Sequence, residues 1–145
     1  MLPAMDDRLP AMDERVAHLR AVPLFTELDD RSLQAIASLA REVDARAGDV
    51  LMREGQPGET FLVIVDGTVR VEQAGRDVRS MMAGGFLGEV ALLEHGPRTA
   101  TATCVTDVRL LSLGHFEFDR LMATFPDVRM KVLAAIARRA RSTAT

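Results

Sequence analysis

The sequence predicts an α+β domain: an antiparallel β-roll, jelly-roll-like in form (a double-stranded barrel), with helices on both sides and a short helix inside it. Three observations carry this. From Asp49 to Leu113 the chain reads as short alternating apolar runs, punctuated by Gly55, Gly58, Gly67, Gly75, Gly84 and Gly85. The segments on either side change to the period of amphipathic helices. Inside the roll, "GEVALL" (88–93) interrupts the strand pattern with a run long enough for a helical turn or two.

A chain of 145 residues suits one domain, and a chain of this size buries roughly 70% of its unfolded surface. Apolar residues at 48% and charged ones at 27% are ordinary for a globular protein. No apolar run approaches the ~20 residues of a membrane span, and no signal-peptide pattern opens the chain. The expected location is the cytoplasm. Cys104 is the single cysteine; it excludes an internal disulfide and fits a reducing compartment. Its place in an alternating run makes it a small core residue and not a nucleophile.

Net charge is −3, from 18 Lys and Arg against 21 acids. No global basic field draws in nucleic acid. The basic cluster Arg138, Arg139 and Arg141 is local, and Tyr and Trp are absent, which removes the usual stacking platforms for single strands. Direct nucleic-acid binding is not expected.

Residues 1–12 read as a leader or linker and 13–145 as the domain. The near-duplicates "PAMDDRL" (3–9) and "PAMDERV" (10–16) are too few for a repeat architecture. A short helix follows from Asp13, with Val16, Ala17 and Leu19 as its apolar set, and ends at Pro23. A clearer helix spans 29–42: Asp29 or Asp30 caps it, and Leu33, Ile36, Ala37 and Ala40 follow the i, i+3, i+4, i+7 pattern. Strands are expected in 49–53, 60–66, 68–73, 77–82, 99–105 and 108–113, spacing that suits a compact antiparallel barrel or roll. A helix over 115–125 follows. Pro126 then sits in the first turn of a last helix, whose stripe is Val128, Val132, Leu133, Ile136 and Ala140.

The stretch "FLGEVALLEHGPRTATA" (86–102) carries the chemistry. A helix entered from Gly85 and Gly88 exposes backbone N–H groups and positive partial charge, which suits an anion. Glycine beside it lets a ligand approach the backbone closely. Gly96-Pro97 turns the chain just before Arg98, whose planar fork fits a phosphate through paired hydrogen bonds. Glu89 cannot assist a phosphate, because two anions repel. Its carboxylate is an acceptor suited to a sugar hydroxyl. Phosphate and ribose hydroxyl together describe a nucleotide. The bland alternative is a salt bridge between Glu89 and Arg98 across the turn.

Gly88-Glu89-Val90-Ala91-Leu92 followed by Pro97-Arg98-Thr99-Ala100 resembles the phosphate-binding cassette of cyclic nucleotide-binding domains, F-G-E-[LIV]-A-L then P-R-[AST]-A, with Leu87 placed between Phe86 and Gly88. "EGQPGETFLVIVDGTVRV" (54–71) resembles the strands that precede the cassette, and the likeness covers about residues 20–141. The resemblance implies that Arg98 pairs with the cyclic phosphate and Glu89 accepts from the ribose 2′-OH. It places Gly88 and the backbone of Val90 and Ala91 along the pocket, with Ala100 in the same motif. Thr99 would touch phosphate or base, Val71 and Met81 or Met82 would pack on the purine, and Arg139 would cap it from the last helix. The bland readings are a solvated helix-end charge for Arg139 and gap-filling for the methionines. His18, His95 and His115 read as surface or loop residues.

Rival functions have less behind them. The three histidines are isolated in sequence, so no metal site is expected, and no Ser-His-Asp or Cys-His set is apparent. No enzyme activity and no cofactor are expected, the ligand being cAMP or, less favoured, cGMP. A helix-turn-helix module would need residues beyond Thr145. A degenerate cassette serving protein contacts is the alternative, as is a fragment of a larger channel, transporter, transcription factor or enzyme. The partners compatible with the reading are the cyclic nucleotide, a regulated effector domain or protein, and a second copy in a homodimer.

Overall fold

The computed structural model describes residues 6–7, 12–88 and 96–143. Two antiparallel sheets form the roll. The five-stranded sheet runs β1 (Asp6–Asp7), β2 (Arg41–Ala45), β9 (Val108–Leu113), β4 (Phe61–Asp66) and β7 (Phe86–Leu87). The four-stranded sheet runs β3 (Val50–Met52), β8 (Thr101–Cys104), β5 (Val69–Gln73) and β6 (Arg76–Met81). Helices α1 (Met12–Arg20) and α2 (Asp30–Leu39) precede the roll, with a 3-10 turn at Pro23–Phe25 between them; α3 (His115–Thr124) and α4 (Pro126–Thr143) follow it. The α+β roll expected from the sequence is the fold observed.

Strand β4 shows why the roll holds together. Phe61, Leu62, Val63 and Ile64 are all fully buried, because the five-stranded sheet is covered on both faces. Leu62 and Ile64 point inward with Leu110, Val71 and Cys104. Phe61 and Val63 point outward into a second core with Leu33, Ile36, Phe118 and Val132 of the helices. A strand covered twice reads as a continuous apolar run. Phe61 ties the layers, its ring 4.8 Å from Phe118 on α3 and 5.6 Å from Phe86 on β7. Cys104 is buried, and burial, with Asp49 and Asp107 nearby, pushes its thiol up to about 11.

Several local expectations are corrected. Helix α2 stops at Leu39, Ala40 turns extended, and Arg41–Ala45 becomes a strand paired along β9. Asp6 and Asp7, inside the segment read as a leader, pair with Asp44 and Val43. On α1, Val16 and Leu19 are buried while Ala17 is exposed. On α4 the buried stripe is Val128, Val132 and Ala135, and Leu133 is 45% exposed; spacing of four and three residues keeps one face, whereas Leu133 lies a full side away. His18 is a half-buried residue of α1. Its Nδ1 lies 2.9 Å from Oε1 of the buried Glu42, off the hydrogen-bonding direction, and Arg109 Nε lies 3.5 Å from the same oxygen.

Asp29 caps α2, its carboxylate accepting from the Ser32 N–H at 2.8 Å, and that bond holds the carboxyl below its ordinary range. A depressed folded pKa contributes stability above the unfolded value and loses it as pH falls through the folded one. Asp29→Ala should therefore lower the melting temperature at neutral pH, with the deficit shrinking as the pH falls below about 4. Thermal melts of both proteins across acid pH check this; a deficit unchanged in strong acid would contradict the cap.

Candidate functional site

Arg98 follows the Gly96-Pro97 turn and is pinned by its own backbone. Its N–H donates to the Gln56 carbonyl at 2.9 Å and its carbonyl accepts from Gly55 N–H at 2.8 Å. These two bonds set the side chain against the loop leading into β4. Nη1 donates to the Thr60 carbonyl at 3.0 Å and to the Gly88 carbonyl at 3.5 Å, and Nη2 donates to Thr60 Oγ1 at 3.0 Å. The residue is only 5% exposed, and burial lowers its pKa.

All of these partners are neutral oxygens. No carboxylate among the described residues pairs with Arg98. A buried cation without a counter-charge is costly, and three bonds to neutral acceptors leave two of the five guanidinium N–H groups without a described partner. Arg98 also lines a groove of about 640 Å³, together with Asp49 to Arg53 along β3 and residues 56–60. The arrangement is a concave site with a sheltered cation in its wall that no carboxylate among the described residues neutralises, which suits a small anion.

Two glycines make room for that cation. A Cβ at Gly58 would lie 1.8 Å from Arg98 Nε, and one at Gly88 would lie 2.4 Å from Nη1 and 2.5 Å from the Thr60 carbonyl. Gly88 also has φ +91°, a conformation that disfavours a side chain.

The remaining expected site residues fall as follows. Thr99 is exposed, and its carbonyl accepts from Gln73 Nε2 at 3.0 Å. Ala100, Val71 and Met81 are buried in the inner core of the roll, while Met82 is 64% exposed and points away. Glu89, Val90 and Ala91, and with them the expected cassette helix, lie outside the described residues, as does the side chain of Arg139. Sequence reading missed Thr60, Gln56 and Gly58, the residues that hold Arg98. Their signal was the glycine-rich 54–60 loop, read there only as a turn. No group of three or more metal-binding side chains occurs among the described residues.

A family model for the cyclic nucleotide-binding domain matches residues 42–125. The chain belongs to that family. A cyclic nucleotide-gated potassium channel of Rhizobium etli is 38% identical over 74% of this chain and 30% of its own length. A CRP-like cAMP-activated global transcriptional regulator of Mycobacterium tuberculosis is 28% identical over 91% of this chain and 60% of its own. The structure of cAMP-bound PfPKA-R superposes with a TM-score of 0.84 at 20% identity, covering 90% of this chain and 45% of that one. The likeness to that structure concerns the fold. This cyclic nucleotide-binding domain thus spans 30% and 60% of the length of these two relatives. No helix among the described residues is long and apolar enough to cross a membrane.

Because the Gly58 backbone is not in the left-handed region, alanine there is free of backbone strain, and its methyl must displace the flexible Arg98 guanidinium. A crystal structure of Gly58→Ala should show Arg98 turned away from Thr60 in an otherwise unchanged roll. An unmoved guanidinium beside the new methyl would contradict the packing described.

Proposed function

We propose that this domain is a ligand-sensing regulatory module that binds a 3′,5′-cyclic purine nucleotide and passes the binding event on through its C-terminal helix. The observation that carries the reading is Arg98: a buried guanidinium, lining a groove, whose partners among the described residues are all neutral oxygens. A cyclic phosphate supplies the missing charge and accepts the spare N–H groups. In this reading Glu89 accepts from the ribose 2′-OH, and Gly88 with the backbone of Val90 and Ala91 lines the pocket. Thr99 meets phosphate or base, Ala100 closes the motif against the roll, and Val71 and Met81 back the purine. Phosphate and ribose contacts are common to cAMP and cGMP. The sequence-based expectation of cAMP therefore stands or falls on the side chain that meets the base. The module performs no chemistry of its own, and its output is a regulated effector.

Hydrogen bonds to charged groups contribute about 1.5–3 kcal/mol, so Arg98→Ala should weaken cyclic-nucleotide binding at least about tenfold with the fold intact. The same calorimetric titration should find 5′-AMP far weaker, since its phosphate is mobile and more highly charged and its 3′-hydroxyl is free. An unchanged dissociation constant in the variant would remove Arg98 from the site.

Helix α4 is the proposed reporter. Its first half is fixed, with Val128, Val132 and Ala135 in the outer core and Lys131 Nζ donating to the Pro23 carbonyl at 3.1 Å. Just past Ile136, Ala137 and Arg138 are exposed. The later part, with Arg139, closes over the base. A ligand that binds only the folded state stabilises by ~2.7 kcal/mol at a hundredfold excess over Kd, a melting shift of roughly 5–10 °C for this size. Truncation before Ala137 should reduce the shift and speed ligand release while leaving association nearly intact. Equally slow release from the truncated domain, by stopped flow, would remove the lid.

A further inference from the structure

The backbone of Arg98 is pinned to the loop at Gly55 and Gln56, and that loop is tied in turn to a hairpin elsewhere in the roll. Strands β5 and β6 are joined by only two residues, Ala74 and Gly75, with Gln73 opposite Arg76. Both joining residues have positive φ, 53° at Ala74 and 77° at Gly75, as a tight hairpin of this twist requires. Glycine adopts that conformation freely. Ala74 is the only residue other than glycine to adopt it among those described.

A strained residue persists where its surroundings over-determine it, and here they do. The Ala74 N–H sits in the turn and donates to Glu54 Oε1 at 2.9 Å. Glu54 is anchored by its own N–H, which donates to Thr101 Oγ1 at 3.0 Å. Beside it, Gln73 Nε2 donates to the Thr99 carbonyl at 3.0 Å. The hairpin tip thus holds the 54–56 loop through Glu54 and the 99–101 segment through Gln73. With the bonds that join Arg98 to Gly55 and Gln56, three separate segments close one circuit that includes the arginine's backbone.

Glu54 and Ala74 are exposed, so water could satisfy the turn N–H as well. What the carboxylate adds is position. Its charge is no help, because an acid next to the Gly55–Arg98 bond opposes the approach of an anion. Resting on the cyclic-nucleotide reading above, we propose that Glu54 and Gln73 are positioning residues for Arg98. They latch the β5–β6 hairpin tip to the segment that follows the arginine and fix where its guanidinium is presented. They act through Arg98, without touching the ligand.

The test is calorimetric titration of the full chain with cAMP, at a temperature where every variant is folded, so that a change in global stability leaves Kd unmoved. Glu54→Ala should weaken binding about fivefold. Glu54→Gln keeps the acceptor oxygen and removes the charge, so it should bind at least as tightly as the wild-type protein. Gln73→Ala should lose about as much as Glu54→Ala. The double variant should lose clearly less than the two losses multiplied, because both residues hold one segment. Tighter binding in both Glu54 variants would reduce Glu54 to a charge and overturn the proposal. Equal weakening by alanine and glutamine would overturn it too, as would an unchanged affinity in Gln73→Ala, the variant that decides the matter should Glu54→Ala not fold. All of these leave the cyclic-nucleotide reading in place. Absence of cAMP binding by the wild-type protein would overturn that reading and the proposal with it.

Discussion

The candidate site depends on Arg98 being buried and aimed with no counter-ion among the described residues. A carboxylate in place of Thr60 would satisfy the guanidinium fully and leave nothing for an incoming anion. A hydroxyl and two carbonyls hold its direction without themselves compensating its charge. In the proposed reading, such an arrangement carries an unfavourable term that a bound phosphate would relieve. The two backbone bonds to Gly55 and Gln56, and the missing side chains at Gly58 and Gly88, make that placement possible.

The same placement joins the site to the helices. Thr60, which holds Arg98, immediately precedes Phe61, and Gly88 immediately follows Leu87 of β7. Phe61 contacts Phe86 of β7 on one side and Phe118 of α3 on the other. Those rings belong to the outer core that also contains Val128, Val132 and Ala135 of α4. In the proposed reading, a shift of the guanidinium toward a ligand would pull on a chain segment whose next residue is packed under the C-terminal helices. Close-packed layers pass on such shifts because they cannot absorb them as free volume.

Much of this was legible in the sequence. The glycine spacing marked the roll, the Asp29-Asp30 pair marked the α2 cap, and the 86–102 stretch marked Arg98 with its flanking glycines. What stayed hidden depended on tertiary context. Strand β2 was masked because "REVDA" extends a helical run, and it carries a buried Glu42 that local pattern places outside. Leu133 outranks Ala135 in hydrophobicity, yet geometry buries the alanine. Thr60 was hinted at only by the glycines of the 54–60 loop, since its role comes from a partner far along the chain.

The central claim, that Arg98 is a cation waiting for a phosphate, is tested most directly by nitrogen-15 NMR of the arginine side chains during addition of a cyclic nucleotide and, separately, of the phosphate-free nucleoside. The account predicts that the Arg98 guanidinium N–H resonances shift and sharpen with the cyclic nucleotide and stay in place with the nucleoside. Arg98 resonances that remain unchanged while the domain is saturated with cyclic nucleotide would contradict it.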